Sequence, residues 1–173
     1  MPAAGALVLQ AVGLASLREA ERAAASLRAV QPDLEYICVG DAEALRRATA
    51  TFDRKLDVEE GLDADIRAAL RRAAHVSTGC RRRSGCADEL VRALRIARIS
   101  HLRRLLAEYD YVVSMDADSL ACQKPDFAAP GAWDVALRPV PVSVRKGPAR
   151  DLPPYPPEFS GALLVLRLSL IHI

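Results

Sequence analysis

Cysteine is scarce in this sequence, and its spacing excludes the common structural zinc sites. The 173 residues contain only four cysteines, and no two of them form a C-x-x-C pair. Such closely spaced thiolates are the usual sign of a zinc site, so we do not expect one. Cys38 lies in a predicted buried strand and is most simply a core residue. Cys80 and Cys86 belong to a predicted loop over residues 77–86, where they form either a small disulfide loop or free thiols.

A strong net charge and a long apolar run are also lacking. The formal net charge is +2, which argues against a protein that binds nucleic acid or membranes through charge. The first 15 residues have no basic region, and no apolar run is long enough to span a bilayer, so we expect neither a signal peptide nor a membrane anchor in this chain. The compartment stays open: the cytoplasm, or the lumen of the Golgi or ER if an anchor is missing from the start.

The apolar residues are sufficient for one globular domain, since they make up 51% of the chain. Residues 6–12 and 34–39 read as buried strands on either side of a helix over residues 17–30. Ser16 and Glu19 fit a capping box at the start of that helix. This order predicts a right-handed βαβ unit. Helices are predicted over residues 42–50 and 64–74, with an irregular acidic link between them.

Loop residues follow the two predicted strands of this unit. Gly13 comes after the first strand and Asp41 after the second. We expect the two residues to form an edge that faces a nucleotide, or to serve as ordinary turn residues.

A pair of carboxylates marks the most informative stretch. Residues 112–115 read as a buried strand of a parallel sheet, and Asp116 and Asp118 follow at its end. Ligands of such sheets bind beyond the carboxyl ends of the strands. Two carboxylates one residue apart can both face a hard divalent cation, such as Mn²⁺ or Mg²⁺, whose other positions take phosphate oxygens. The alternative is a pair of turn-forming aspartates.

The helix predicted before this strand, over residues 87–108, carries an arginine within its apolar face. At about 100° per residue, the face collects seven aliphatic side chains: Leu90, Val91, Leu94, Ile99, Leu102, Leu105 and Leu106. Arg98 projects near the middle of the face, where a charge needs a partner. The partner is either a phosphate, which arginine can hold with two hydrogen bonds, or a structural carboxylate; a third alternative is that Arg98 extends to solvent. We expect His101 at the surface or boundary of the helix.

Residues 109–120, Tyr-Asp-Tyr-Val-Val-Ser-Met-Asp-Ala-Asp-Ser-Leu, resemble the Asp-x-Asp segment of GT-A nucleotide-sugar glycosyltransferases, especially the glycogenin-like and family-eight-like group. The resemblance implies an α/β, Rossmann-like GT-A fold with a mainly parallel sheet flanked by helices. It also implies that Asp116 and Asp118 hold Mn²⁺ (or Mg²⁺) against the diphosphate of a nucleotide sugar, with a UDP-sugar favoured. Arg98 matches a basic residue that contacts the donor phosphates. Ala117 would be small because the backbone passes close to the donor.

The resemblance continues weakly toward the end of the chain. Residues 158–167 resemble a family segment that faces the sugar, in which Ser160 replaces the usual asparagine. Ser160 and Gly161 are therefore possible sugar or acceptor contacts, and a plain buried strand also explains the segment. We expect residues 1–167 to form a partial donor-binding domain that is incomplete at its carboxyl end. Residues 168–173 look like an artefactual tail, so His172 is not assigned as a ligand.

These features predict a metal-dependent glycosyltransferase that moves a sugar from a nucleoside diphosphate to an acceptor hydroxyl. No catalytic nucleophile or base can be named, and retention or inversion stays open. One alternative is a haloacid-dehalogenase-like phosphatase, with Asp116 as nucleophile and Asp118 as acid and base. Another is a non-catalytic nucleotide-binding or interaction domain.

Overall fold

A computed structural model of the chain describes residues 5–79, 84–118, 135–139 and 159–167. Strands and helices alternate through the first part of the chain, as expected for an α/β fold. The described residues form ten elements: β1 (Gly5–Ala11), α1 (Leu14–Arg28), β2 (Glu35–Gly40), α2 (Ala42–Arg47), β3 (Arg54–Asp57), α3 (Ala64–Gly79), α4 (Ser84–Leu105), β4 (Tyr111–Met115), β5 (Val135–Pro139) and β6 (Phe159–Arg167).

All six strands belong to one sheet, in the order β3-β2-β1-β4-β6-β5. The first four of these neighbours are parallel, whereas β6 is antiparallel to both β4 and β5. The predicted α/β, Rossmann-like fold with a mainly parallel sheet is therefore confirmed. From β1 the chain moves outward to β2 and β3, and then returns to the other side of β1 to form β4. The strand order thus reverses between β1 and β4.

Helices cover both faces of the parallel strands. On β1, Leu7 and Leu9 pack on the side of α1 and α2, whereas Ala6 and Val8 pack on the side of α3 and α4. Side chains of a strand alternate between the two faces of the sheet, and on β1 the side chains of both faces are buried. This explains why the strands read as almost continuous apolar runs.

The start of α1 differs from the sequence prediction. The helix begins at Leu14, and Gly13 is the residue before it, with φ 80° and ψ 161° and no side-chain cap. The predicted capping box is wrong, since the Ser16 hydroxyl instead donates to the carbonyl of Gln10 at 3.5 Å. Only glycine adopts this conformation readily. Gly13 therefore allows the chain to turn directly from β1 into α1.

Two further boundaries were predicted wrongly. The acidic link contains the short edge strand β3, of which only Leu56 is buried. One apolar residue gives no alternating pattern, so the strand has no sequence signal. The predicted loop over residues 77–86 is helical at both ends, because α3 runs to Gly79 and α4 begins at Ser84. Residues 80–83 lie outside the described part of the chain. Cys80 is one of them, so the predicted disulfide with Cys86 lies outside it as well.

Cys38 is a core residue, as predicted. It is fully buried on β2 and is a free cysteine. Burial raises the pKa of its thiol to about 11, because the thiolate is disfavoured away from water.

The buried face of α4 is rotated from the predicted one. Ala93, Ala97, Leu102 and Leu105 are buried, while Val91 and Ile99 are 44% and 55% exposed. The prediction considered only large side chains, but the small Ala93 and Ala97 are buried against the sheet together with Leu102 and Leu105. No helix in the described residues is long and apolar enough to cross a membrane.

His101 was also predicted wrongly, since it is 1% exposed and not at the helix surface. Its Nε2 lies 3.0 Å from the carbonyl oxygen of Val58, in the loop after β3. Burial lowers the pKa of His101, although the contact with Val58 acts in the opposite direction. The ring is a buried polar link between α4 and this loop.

Candidate functional site

An open cleft lies where the strand order reverses. It has a volume of about 310 Å³ and is bounded by the carboxyl ends of β1 and β4 and by the helices α1 and α4. The two helices cover opposite faces of the sheet, so they diverge here and leave a crevice, which is where open α/β sheets bind ligands. The residues that line it are Gln10, Val12, Ser16, Glu19, Leu94, Arg98, Met115, Asp116, Ala117 and Asp118.

The three residues after β4 enter this cleft as the sequence predicts. The strand ends at Met115, and Asp116, Ala117 and Asp118 follow it along the cleft wall. The Asp116 side chain is 41% exposed, and Asp118 is exposed. Within the described residues, the Asp118 carboxylate makes no hydrogen bond or ion pair, so both of its oxygens are available to a ligand.

Arg98 reaches the Asp116 carboxylate from α4. Its Nε donates to Ser114 Oγ at 2.5 Å, and its Nη1 donates to Asp116 Oδ1 at 2.6 Å. The arginine side chain is 16% exposed. Of the predicted alternatives, pairing with a carboxylate is the one observed, but the carboxylate is a predicted metal ligand. Contact between Arg98 and a donor phosphate stays a prediction.

Sequence reasoning missed two polar residues that support this group. Ser114 is completely buried on β4, on the side that faces α4. Gln10 occupies the α4 side of β1, and its Nε2 donates to the carbonyl of Leu94 at 3.2 Å. The signal was a polar residue at the last α4-facing position of each strand, where the apolar pattern predicts another aliphatic side chain.

Asp41 joins the two loops that the sequence predicted as one edge. Its Oδ2 accepts from the backbone N–H of Gly13 at 2.6 Å, and its Oδ1 accepts from Ala44 N–H at 2.8 Å. The second bond is the N-cap of α2, a role for which aspartate is among the best residues. Loop chemistry therefore accounts for Asp41, and a nucleotide contact is not needed to explain it.

Ser160 and Gly161 lie at the carboxyl-terminal edge of β4. The strand β6 is antiparallel to β4, with Leu163 paired to Met115. Its first residues therefore extend past the end of β4, at the edge where Asp116 and Asp118 lie. A sugar or acceptor contact by Ser160 and Gly161 stays a prediction. The predicted artefactual tail, residues 168–173, falls outside the described part of the chain.

The comparisons with known proteins give a likeness in fold. No protein-family model matches the sequence, and no curated protein is similar to it. The crystal structure of the galactosyltransferase LgtC in complex with donor and acceptor sugar analogues is 15% identical, with a TM-score of 0.45 over 93% of this chain and 57% of that chain. An active-site mutant of LgtC is also 15% identical, with a TM-score of 0.43 over 93% of this chain and 56% of that chain.

This chain therefore spans just over half the length of the two LgtC structures. At 15% identity the likeness concerns the fold alone.

The oxygen atoms in the cleft fit a hard divalent cation. Asp118 offers both carboxylate oxygens, and Asp116 offers Oδ2 beside the oxygen that accepts from Arg98. Small divalent cations are often held by one or two carboxylates, with phosphate oxygens and water completing the shell. Within the described residues, no group of three His, Cys, Asp or Glu side chains could hold a metal ion. A cation here would therefore depend on ligands from outside that set, such as phosphate oxygens.

Proposed function

We propose that this chain is the donor-binding part of a metal-dependent glycosyltransferase, which moves a sugar from a nucleoside diphosphate to an acceptor hydroxyl. The observation that carries the proposal is the set of side chains in one cleft. Asp116, Asp118 and Arg98 lie together in the cleft where the strand order reverses. Carboxylates suit a divalent cation, and a guanidinium suits phosphate oxygens. A diphosphate that carries a divalent cation would contact both the carboxylates and the guanidinium.

The sugar donor gives each residue a separate role. Asp116 and Asp118 would hold the cation, Mn²⁺ or Mg²⁺, which when bound stabilises negative charge on the leaving diphosphate. Arg98 would donate hydrogen bonds to the same phosphates and so favour the developing charge. Ala117 lines the cleft between the two aspartates, where a small side chain leaves room for the donor. Ser160 and Gly161 would contact the sugar or the acceptor.

The resemblance of residues 109–120 to the Asp-x-Asp segment supports a nucleotide-sugar donor, with UDP as the favoured nucleotide. The phosphatase alternative lacks a comparable observation. Such an enzyme needs a lysine near its nucleophile, and among the described residues no lysine lines the cleft. Its nucleophile would be Asp116, whose Oδ1 is bonded to Arg98.

Calorimetric titration with UDP, in the presence and absence of Mn²⁺, tests the proposal. We expect Mn²⁺ to strengthen UDP binding and Asp118→Asn to abolish the metal-dependent part, because a neutral amide replaces an anionic ligand. Asp65→Asn is the matched control, since this exposed aspartate lies in the first turn of α3 and does not line the cleft. Equal Mn²⁺-dependent binding in wild type and Asp118→Asn would contradict the proposal. A phosphoryl-aspartate trapped at Asp116 would support the phosphatase instead.

A further inference from the structure

We propose that Arg98 and the divalent cation compete for Asp116, and that the nucleoside diphosphate relieves this competition by drawing Arg98 away. The ion pair between Arg98 and Asp116 is then the form of the site that precedes donor binding. This inference rests on the proposed function, because it assumes that Asp116 and Asp118 hold a cation.

The competition follows from the position of the guanidinium. Arg98 Nη1 lies 2.6 Å from Asp116 Oδ1, so a cation bound to the same carboxylate would lie next to a positive charge. Like charges within about 4–6 Å oppose each other. The Arg98 side chain is 16% exposed, so water screens this repulsion only in part. A cation alone therefore meets a site that is already partly neutralised.

A contact with Ser114 anchors Arg98 at its Nε atom. Ser114 Oγ accepts from Nε at 2.5 Å, and Ser114 is completely buried beneath the cleft. If this bond persists, the guanidinium can turn about it and remain at the cleft wall. A diphosphate in the cleft would give Arg98 new acceptors, for which its planar fork is well suited.

Cooperative binding is the consequence. When Arg98 donates to a phosphate oxygen, it no longer donates to Asp116, and the Asp116 carboxylate becomes available to the cation. The diphosphate therefore strengthens cation binding. By linkage, the cation strengthens diphosphate binding by the same factor, and couplings of this kind are commonly about 5 to 150-fold.

Titration of the full chain with Mn²⁺, followed by electron paramagnetic resonance with and without UDP, tests this inference. We expect Arg98→Gln to bind Mn²⁺ alone about tenfold more tightly than wild type, since the competing charge is gone, within the coupling range above. The strengthening by UDP should be smaller in this variant. Arg95→Gln should behave as wild type, because Arg95 is an exposed arginine of the same helix that does not line the cleft.

Arg98→Lys separates the charge from a general loosening of the site. It keeps a positive charge, so its affinity for Mn²⁺ alone should stay near that of wild type. If Arg98→Gln binds Mn²⁺ no more tightly than wild type, or if the lysine variant gains as much as the glutamine variant, the competition is wrong. The proposed function survives either result, provided that wild type binds UDP with Mn²⁺. If wild type binds neither Mn²⁺ nor UDP, the proposed function fails together with this inference.

Discussion

Replacing Arg98 with leucine should weaken nucleotide binding and leave the free energy of unfolding nearly unchanged. The reason is that the Arg98 partner, Asp116, is itself part of the cleft wall. The side chain of Asp116 is 41% exposed, so water can solvate this carboxylate once the guanidinium is gone. A carboxylate buried in the core would instead remain as an uncompensated charge, at a cost of about 3–5 kcal/mol.

The losses and gains at Arg98 are of similar size. The ion pair with a partly exposed carboxylate contributes roughly 0.2–1 kcal/mol. Ser114 Oγ is fully buried, so losing its Arg98 partner leaves a buried hydroxyl unsatisfied, at a cost of about 1–3 kcal/mol. A leucine at this position would continue the apolar surface next to Leu94, and complete burial of a leucine contributes about 1.5–3 kcal/mol. The net change should therefore be within about 1 kcal/mol of zero, given the spread of these values.

Thermal melts of the ligand-free protein measure this change, and calorimetry with UDP and Mn²⁺ measures binding. A change of 1 kcal/mol shifts the Tm of a domain of this size by about 2–4 °C. Binding should weaken by about 1.5–3 kcal/mol, the value for a hydrogen bond to a charged group. A drop in Tm of about 10 °C in the ligand-free Arg98→Leu variant would refute the reasoning, because Asp116 would then need Arg98 as a structural partner.

Two further predictions concern the scaffold of the site. Burial holds the pKa of His101 below its ordinary value, so the unfolded chain binds the proton more readily and the free energy of unfolding should decrease as the pH falls below about 6.5. His101→Gln should flatten this dependence in urea unfolding at pH 7.5 and 5.5, and an equal slope in both proteins would contradict it. Gly40→Ala would bring a Cβ within 2.6 Å of the carbonyl oxygen of Ala11, and overpacking of this kind costs about 1–3 kcal/mol. An unchanged urea midpoint for Gly40→Ala would contradict the observed contact between β1 and β2.

The parts of the fold that were predictable are those with a long apolar pattern. β1, β2 and β4 are buried on both faces, so their sequences read as strands without help from tertiary context. The Asp pair was predictable because it follows directly from the end of β4. By contrast, β3 buries only Leu56, and an edge strand of this length carries too little pattern to be distinguished from a loop.

The polar members of the site were harder to predict, because their positions depend on neighbours that are distant in sequence. Ser114 looks like an interruption of a strand until Arg98 is known to lie above it. His101 breaks an apolar face, and only the carbonyl of Val58 explains its burial. The turn at Gly13 depends on backbone conformation and on Asp41, 28 residues later in the chain. In each case the sequence contains the residue but not its partner.

The pairing of β1 with β4 also has a consequence for the order in which the site can assemble. The first three strands and their helices join neighbours that are close in sequence, but Gly5 pairs with Tyr111 only after the chain has passed through β2, β3, α3 and α4. Closing so long a segment is costly in chain entropy and slow compared with local contacts. A chain that has folded only as far as β3 contains the β1 and α1 side of the cleft but not Asp116 or Asp118. A ligand that contacts both the β1 side and the β4 side of the cleft binds only when these two strands are paired. By mass action it therefore stabilises the β1–β4 pairing relative to states in which the strands are apart.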